Sequence, residues 1–350
     1  MKEELEEYIE SYRNWRKNAY EMSKRYINEG LCDRSLTRDL DWGIDVPKDG
    51  FSDKKIYIWA ENVLGYLSDC YTLCCRQGID FNEFWNSSRQ YYVHGKDNIP
   101  FHTIILPSLL LGHTDIKLKL PDDIISSEYL TLEGRKISTS ENWAVWVKDI
   151  IERYHPDSIR YFLIGNGPEK RDIDFTWREF INSHNGELLG AYGNFVNRSL
   201  VFVQKYFENK VPKAQCKEDI LQSLTRLYPR VGELIEQGSL KEALDAIFVF
   251  VRSANKYFDD KQPWITIKSD VEKCEETLYT CVQIIANLSN LLEPFLPFSS
   301  AKIRSMLNIE KADWRYIEVP AGQEIGAVEI LFERIDKKVI QEEESKLKKK

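Results

Sequence analysis

Apolar residues recur along this chain with two periods. Leu5, Tyr8, Ile9 and Tyr12 form a helical stripe, so residues 1–30 read as one or two polar helices ended by Gly30. Lys55-Ile-Tyr-Ile-Trp59 alternates instead, which predicts a strand with Tyr57 and Trp59 on one face. Gly65-Tyr66 opens a helix through Leu67, Cys70, Tyr71 and Cys74. Gln90-Tyr-Tyr-Val-His94 predicts a second strand, closed by Gly95-Lys96-Asp97. A helix with Phe101, His102, Ile105 and Leu109 follows it, with Pro100 in its first turn. Strand, glycine-containing turn and helix make the α/β unit that places ligands at strand carboxyl ends. A third short strand is expected near 128–130, before the turn Glu133-Gly134-Arg135. Apolar positions 143, 146, 147, 150, 151 and 154 predict a helix over 143–154, its tryptophans serving packing. Pro156 starts another helix through Leu163, broken by Gly165-Asn166-Gly167-Pro168.

From Trp177 the period is helical almost to residue 310, with helices expected at 177–208, 217–237, 239–258 and 270–291. That makes a separate bundle. The tail has β-like pieces at 316–319 and 328–332, then a charged helix over 341–350 whose lysine-rich end reads as solvated. The fold class expected is therefore α/β plus all-α.

Composition narrows the picture. The chain has 350 residues, 43% hydrophobic, 30% charged and 12% aromatic, enough for two cores. The longest apolar runs fall short of the ~20 residues needed to cross a bilayer, and the acidic start does not resemble a signal peptide. The 7 cysteines are odd in number and form no Cys-x-x-Cys pair, which suits a reduced cytoplasmic protein without structural zinc. The 5 histidines have no metal-ligand spacing. Net charge of −8 argues against general adhesion to nucleic acid, while leaving room for a local basic strip on one folded RNA.

The candidate chemistry centres on Lys136-Ile-Ser138-Thr139-Ser140. Lysine supplies positive charge there, and hydroxyls with backbone N–H groups supply donors, as a polyphosphate requires. Asn194 and Arg198, four apart, share a helix face.

Several stretches together resemble methionyl-tRNA synthetase, a class I aminoacyl-tRNA ligase. They are Thr37-Arg-Asp-Leu-Asp-Trp-Gly-Ile-Asp-Val-Pro47, Tyr57-Ile-Trp59 with Gly65-Tyr66, Gly95-Lys-Asp-Asn-Ile-Pro-Phe-His102, and Gly134-Arg-Lys136-Ile-Ser-Thr-Ser140 at the place of the Lys-Met-Ser-Lys-Ser signature. The resemblance runs from about Asp33 into the 330s. It implies a partial Rossmann-like parallel sheet followed by an anticodon-binding helix bundle. The implied domains are an N-terminal helical extension (1–32), the second catalytic half (33–176), the anticodon bundle (177–312) and a β-like segment with charged tail (313–350).

By this resemblance Lys136, Ser138 and Ser140 are catalytic, gripping ATP phosphates, and Gly95 and Asp97 flank the nucleotide. Trp59, Tyr66, Asn62, Asn98 and His102 are substrate-binding residues around a methionine side chain, whose thioether suits aromatic walls. Asn194, Arg198 and Trp264 read the anticodon, Trp264 by stacking on a splayed base. ATP with Mg2+, methionine or a related amino acid, and a methionine tRNA are the implied substrates and partners.

Departures from the family pattern matter as well. Asn62 and Val63 replace a small residue and a proline of the pocket wall. Asn98 resembles the archaeal-type variant, Leu106 stands where some members have a pocket Trp, and Thr139 replaces the second signature lysine. Nothing here corresponds to the family's first half, with its His-Ile-Gly-His turn and zinc-bearing insertion. The expectation is a protein not self-sufficient for methionine activation unless a second polypeptide supplies that half. Two alternatives are a non-catalytic, regulatory tRNA-binding paralogue and a ligase recruited to another amino acid. A half sheet also exposes an edge, so a partner, a homodimer or cover from residues 1–30 is expected.

Overall fold

The computed structural model describes residues 1–11, 14–311 and 313–347, so Tyr12 and Lys348 to Lys350 lie outside the described residues. The chain folds into two compact units: Met1–Tyr129 with Pro168–Asp172, and Leu130–Gly167 with Ile173–Lys350.

The first unit opens with α1 (Lys2–Ser11) and α2 (Lys17–Glu29), whose buried residues recur four apart: Leu5 and Ile9, then Ala19, Ser23 and Ile27. The chain then makes the two-residue ladder β1 (Thr37–Arg38) with β2 (Lys55–Ile56), antiparallel. The strand expected over 55–59 stops here, because Tyr57 already caps α3 (Ile58–Glu61) and a 3-10 turn at Asn62–Leu64 follows. Helices α4 (Gly65–Gln77) and α5 (Phe81–Ser87) come next, α5 capped by the Asp80 carboxylate on the Glu83 N–H.

β3 (Tyr91–Gly95) runs parallel to β4 (Asp123–Ser127), Tyr91 opposite Asp123 and Gly95 opposite Ser127. Between them the chain makes a 3-10 turn (Lys96–Asn98), a π turn (Phe101–Ile105) and α6 (Leu106–Gly112). No pattern in the sequence announces β4: Asp123-Ile-Ile-Ser-Ser is too short and too uniformly buried to alternate. Its outer edge is met by Trp15 and Arg16, just before α2: the Arg16 N–H donates to the Ile124 carbonyl (3.1 Å) and the Trp15 indole to the Asp122 carbonyl (3.0 Å). β3 has no strand on its other side among the described residues.

The second unit begins with β5 (Leu130–Leu132), which forms a hairpin with β6 (Arg135–Lys136) and pairs in parallel with β7 (Ile173–Phe175). The third strand thus lies just beyond the 128–130 expected. The helix expected over 143–154 begins only at Val147, as α7 (Val147–Arg153). Trp143 is held instead by an antiparallel bridge to Ser138, and its indole N–H donates to the Leu132 carbonyl (2.8 Å). The apolar stripe is also only half used: Trp143, Ile150 and Tyr154 are buried, whereas Trp146 is 54% and Val147 72% exposed.

α8 (Pro156–Gly165) leads to β7 and then to a continuous helical run: α9 (Trp177–Ser183), a π stretch (His184–Gly193) and α10 (Asn194–Tyr206). The bundle is completed by α11 (Glu218–Glu236), α12 (Leu240–Lys261), α13 (Pro263–Ser269), α14 (Val271–Leu291) and α15 (Pro297–Met306). α14 is its axis, buried on every side from Thr277 to Leu291.

The β-like tail pieces are not strands. Over 316–319 the extended chain bonds to side-chain amides of α14. Gln283 exchanges two 2.8 Å hydrogen bonds with the Val319 backbone, and Asn287 does the same for Ile317 at 2.8 and 2.9 Å. At 328–332, Leu331 and Phe332 are buried, but Glu329 donates its N–H to Met306 sulfur and the Ile330 carbonyl accepts from Lys302. The charged end forms α16 (Val339–Leu347), in which Glu343 is 3% and Leu347 6% exposed while Lys346 is exposed; the rest of the lysine-rich end, Lys348 to Lys350, lies outside the described residues. The Glu343 carboxylate accepts from Arg153, Tyr154 and Lys346, which hold its pKa below the ordinary value although burial pushes it upward.

Candidate active site

In the first unit the chain gathers most of the expected pocket residues. Tyr66, on the second residue of α4, lies 2.9 Å through its hydroxyl from His102 Nε2. His102 Nδ1 is 2.9 Å from the Asn98 carbonyl, one turn back. A carbonyl only accepts, so Nδ1 carries the proton and Nε2 accepts from Tyr66. Burial lowers the His102 pKa and fixes this neutral form, and it raises the Tyr66 pKa so the phenol keeps its proton.

His94, at the end of β3, stacks on His102 with centroids 4.3 Å apart. Burial pushes its pKa down to about 4, and its Nε2 has no hydrogen-bond partner among the described residues. Trp59 stacks on Phe101 at 4.3 Å, beside His102 in sequence. Asn62 lies a turn ahead of Tyr66. The assembled features are aromatic walls, two stacked imidazoles and one phenol. They suit a side chain that is apolar and polarisable rather than charged.

Gly95 and Asp97 occupy the carboxyl end of β3, where α/β units bind ligands. Asp97 accepts from the Tyr129 hydroxyl, a bond that raises the tyrosine pKa. Between them Lys96 is fully engaged. Its ammonium lies 2.6 Å from Glu128 and 2.9 Å from Asp172, and 3.9 Å from the Tyr129 ring centroid. The bonds to Glu128 and Asp172 raise the Lys96 pKa, and the bond to Lys96 lowers that of Asp172. These partners come from 32 to 76 residues away, and no short motif announces them.

In the second unit Lys136 ends the β5–β6 hairpin. It is exposed, and none of the ion pairs found among the described residues uses it. Beyond it Ser138 and Ser140 approach to 3.2 Å through their hydroxyls. The loop is closed at its base, where Ser138 and Trp143 exchange backbone bonds of 2.9 and 2.8 Å. Arg135 takes the opposite face of the hairpin, 4.2 Å above the Trp143 ring. One free cation, two hydroxyls and a closed loop offer an anion several donors without a competing carboxylate on the lysine.

On the bundle, Arg198 lies 2.7 Å from Asp259, 4.6 Å from the Phe258 ring centroid and 5.8 Å from that of Trp264. Trp264 starts α13 beside Pro263 and is 42% exposed. Asn194 is exposed, one turn before Arg198. An amide, a guanidinium and a half-open indole on one surface can bond base edges and stack a base.

Comparison with known proteins places the whole chain. Residues 1–200 match the family described as tRNA synthetases class I (M), and residues 208–349 match the anticodon binding domain of methionyl tRNA ligase. The chain belongs to the class I methionyl-tRNA synthetase family. It is 53% identical over 353 residues to methionine–tRNA ligase 1 of Alkaliphilus oremlandii, an alignment covering 99% of this chain and 64% of that one. A methionine–tRNA ligase of Bacillus cereus is 54% identical over 342 residues, with 97% and 62% covered. The chain thus spans under two thirds of the length of these relatives. A solved Mycobacterium tuberculosis methionyl-tRNA synthetase in complex with methionyl-adenylate shares the fold, with a TM-score of 0.84 at 24% identity over 95% of this chain and 67% of that one. The α/β plus all-α class read from the sequence holds.

Among the described residues, no group of three or more His, Cys, Asp or Glu is placed to hold a metal ion, and no helix is long and apolar enough to cross a membrane.

Proposed function

We propose that this chain carries the second catalytic half and the anticodon-reading part of a methionine–tRNA ligase, working in the cytoplasm. The functional division follows 33–176 and 177–312, flanked by an extension at 1–32 and a tail at 313–350. In this reading the methionine side chain lies against Trp59, Tyr66 and His102, with Asn62 and Asn98 at its margin. Gly95 and Asp97 flank the nucleotide, and Lys136, Ser138 and Ser140 grip the ATP phosphates, which bring Mg2+ with them. The methionine carboxylate attacks the α-phosphorus and pyrophosphate leaves; a tRNA hydroxyl then attacks the carbonyl of the adenylate, losing its proton, and AMP leaves as the ester forms. Lys136 favours the step by stabilising charge that grows on the leaving phosphates.

The observation that supports this best is Lys136 itself: exposed, without a carboxylate partner among the described residues, and followed by two hydroxyls that approach to 3.2 Å. Thr139 leaves the loop with one lysine. Activation also needs a first half with its His-Ile-Gly-His turn, in the same polypeptide or in another. Residues 1–350 alone should show no ATP–pyrophosphate exchange and should gain it when a polypeptide carrying the first half of the Bacillus cereus relative is added. Exchange on mixing that survives Lys136→Ala would sink the phosphate assignment.

Asn194, Arg198 and Trp264 then read the anticodon. A stacked base contributes about 1–3 kcal/mol, so Trp264→Ala should weaken binding of an RNA hairpin with a CAU loop by roughly 5- to 150-fold. Equal binding by variant and wild type removes the anticodon assignment.

A further inference from the structure

A hairpin can only present Lys136 correctly if its register is fixed. In β5–β6, Thr131 stands opposite Lys136 and Leu132 opposite Arg135. Successive residues of a strand alternate between its faces, and Arg135 takes the one that lies on Trp143. A slip of one residue exchanges Arg135 and Lys136. Only two residues, Glu133 and Gly134, make the turn, and both are left-handed, with φ of 47° and 73°. Glycine adopts this readily; glutamate does so only when its surroundings hold it.

Those surroundings come from β7 and the start of α9. Both carboxylate oxygens of Asp174 accept the Gly134 N–H at 2.9 Å, and Oδ1 also accepts the Thr131 hydroxyl at 2.6 Å. The Glu133 N–H donates to the Phe175 carbonyl at 2.9 Å. The Glu133 side chain returns the contact, its Oε1 accepting the Trp177 N–H at 2.8 Å in the first turn of α9. Thr176 and Glu179 cap the same turn, the Thr176 hydroxyl accepting from the Glu179 N–H at 3.1 Å. The turn is thus fastened to Asp174, Phe175 and Trp177, and the last two are themselves buried.

We propose that Asp174 is the positioning residue of the phosphate loop, assisted by Glu133, and that it acts through Lys136 by locking the hairpin register. Asp174 touches no phosphate in this scheme. Its carboxylate fastens the turn so that Lys136, and not Arg135, meets the ligand. The inference rests on the reading of Lys136 as a phosphate-binding residue.

The test is a double-mutant cycle on the whole chain, with Mg2+–ATP as the probe. Lys136→Ala comes first: ATP affinity that does not depend on Lys136 overturns the phosphate reading and this proposal with it. If Lys136 matters, Asp174→Asn should weaken ATP binding about tenfold, the effect of losing one charge-assisted hydrogen bond. In the Lys136→Ala background the same change should cost nothing further, because its effect passes through the lysine. An equal loss in both backgrounds, or no loss in either, overturns the proposal. Hydrogen exchange gives a readout independent of ATP. The Gly134 and Ser138 amides should exchange at least about tenfold faster in Asp174→Asn, while amides of α14 stay protected. Unchanged exchange at Gly134 overturns the lock. Thr131→Val, which keeps the carboxylate, should weaken ATP binding less than Asp174→Asn; the reverse order places the function on the threonine and overturns the assignment to Asp174.

Discussion

The bundle around α14 and the parallel pair β3–β4 treat apolar residues in opposite ways. From Thr277 to Leu291 every residue of α14 is buried, polar ones included, and Gln283, Asn287 and Tyr228 satisfy one another or the tail. Along β3 the burial alternates: Tyr92 is 8% exposed, but Tyr91 is 40% and Val93 70% exposed. Nearby elements of the same unit add Ile58 at 53% and Tyr66 at 41%. One region closes its own core. The other builds half a core and presents aromatic and aliphatic groups outward. A binding region needs that incompleteness, since a pocket wall already packed by the chain has nothing left for a ligand. A region that only holds shape gains most from full burial.

The sharpest way to break this contrast is to cut equivalent aromatic groups from closed and open surfaces. Trp177 is 1% exposed and packs edge-on against Phe175 and Phe180. Trp177→Ala should cost about 3–5 kcal/mol of stability in urea titration. Trp146, at 54% exposure in the same unit, should cost less than about 0.5 kcal/mol when changed to Ala. Similar costs for both would mean that exposure does not separate structural from available tryptophans here.

A second, smaller effect concerns pH. His94 is held neutral by burial, with its pKa lowered to about 4. The unfolded chain protonates this ring near pH 6.5, well before the folded one does. Between those values the unfolded state binds more protons, so stability falls as pH drops through that window and levels off below about 4. The ring is partly open, which limits the loss to about 1–2 kcal/mol between pH 7 and 4.5. His94→Gln should flatten that slope. An NMR titration of the His94 ring with a midpoint near 6.5 would contradict the assignment.

The same contrast explains what the chain disclosed in advance. Gly65-Tyr66, Pro100 and the bundle helices were legible because period and punctuation act locally. So was the meeting of Tyr66 with His102, since each lies in a contiguous motif. The helix over 143–154 failed because Trp143 is claimed by Ser138 and Leu132, contacts that periodicity does not encode. The tail strands failed because their hydrogen-bond partners are glutamine and asparagine side chains on a helix, which leave the same extended, apolar pattern as a sheet. Glu343 sits in a run of charges that reads as solvated, yet Arg153 and Tyr154 bury it. Asp174 stayed hidden for a related reason: its partners Gly134 and Thr131 lie far away in sequence.

The smallest expected effect is the most discriminating one for the open strand. Val93→Thr keeps the β-branched shape and changes a group that is 70% exposed. Stability of the isolated chain should move by less than about 0.5 kcal/mol. A loss above about 1 kcal/mol, beyond the range of ordinary surface substitutions, would mean that Val93 already packs within the chain, and that β3 is closed rather than open. The sharper half of the experiment adds the polypeptide carrying the relative's first half. If the proposed function is right, that half completes the sheet, and backbone amides along β3 become protected from exchange. Val93→Thr should weaken the protection while leaving the isolated chain untouched. Protection that never develops on addition would leave the exposed face of β3 without a role in assembling the ligase.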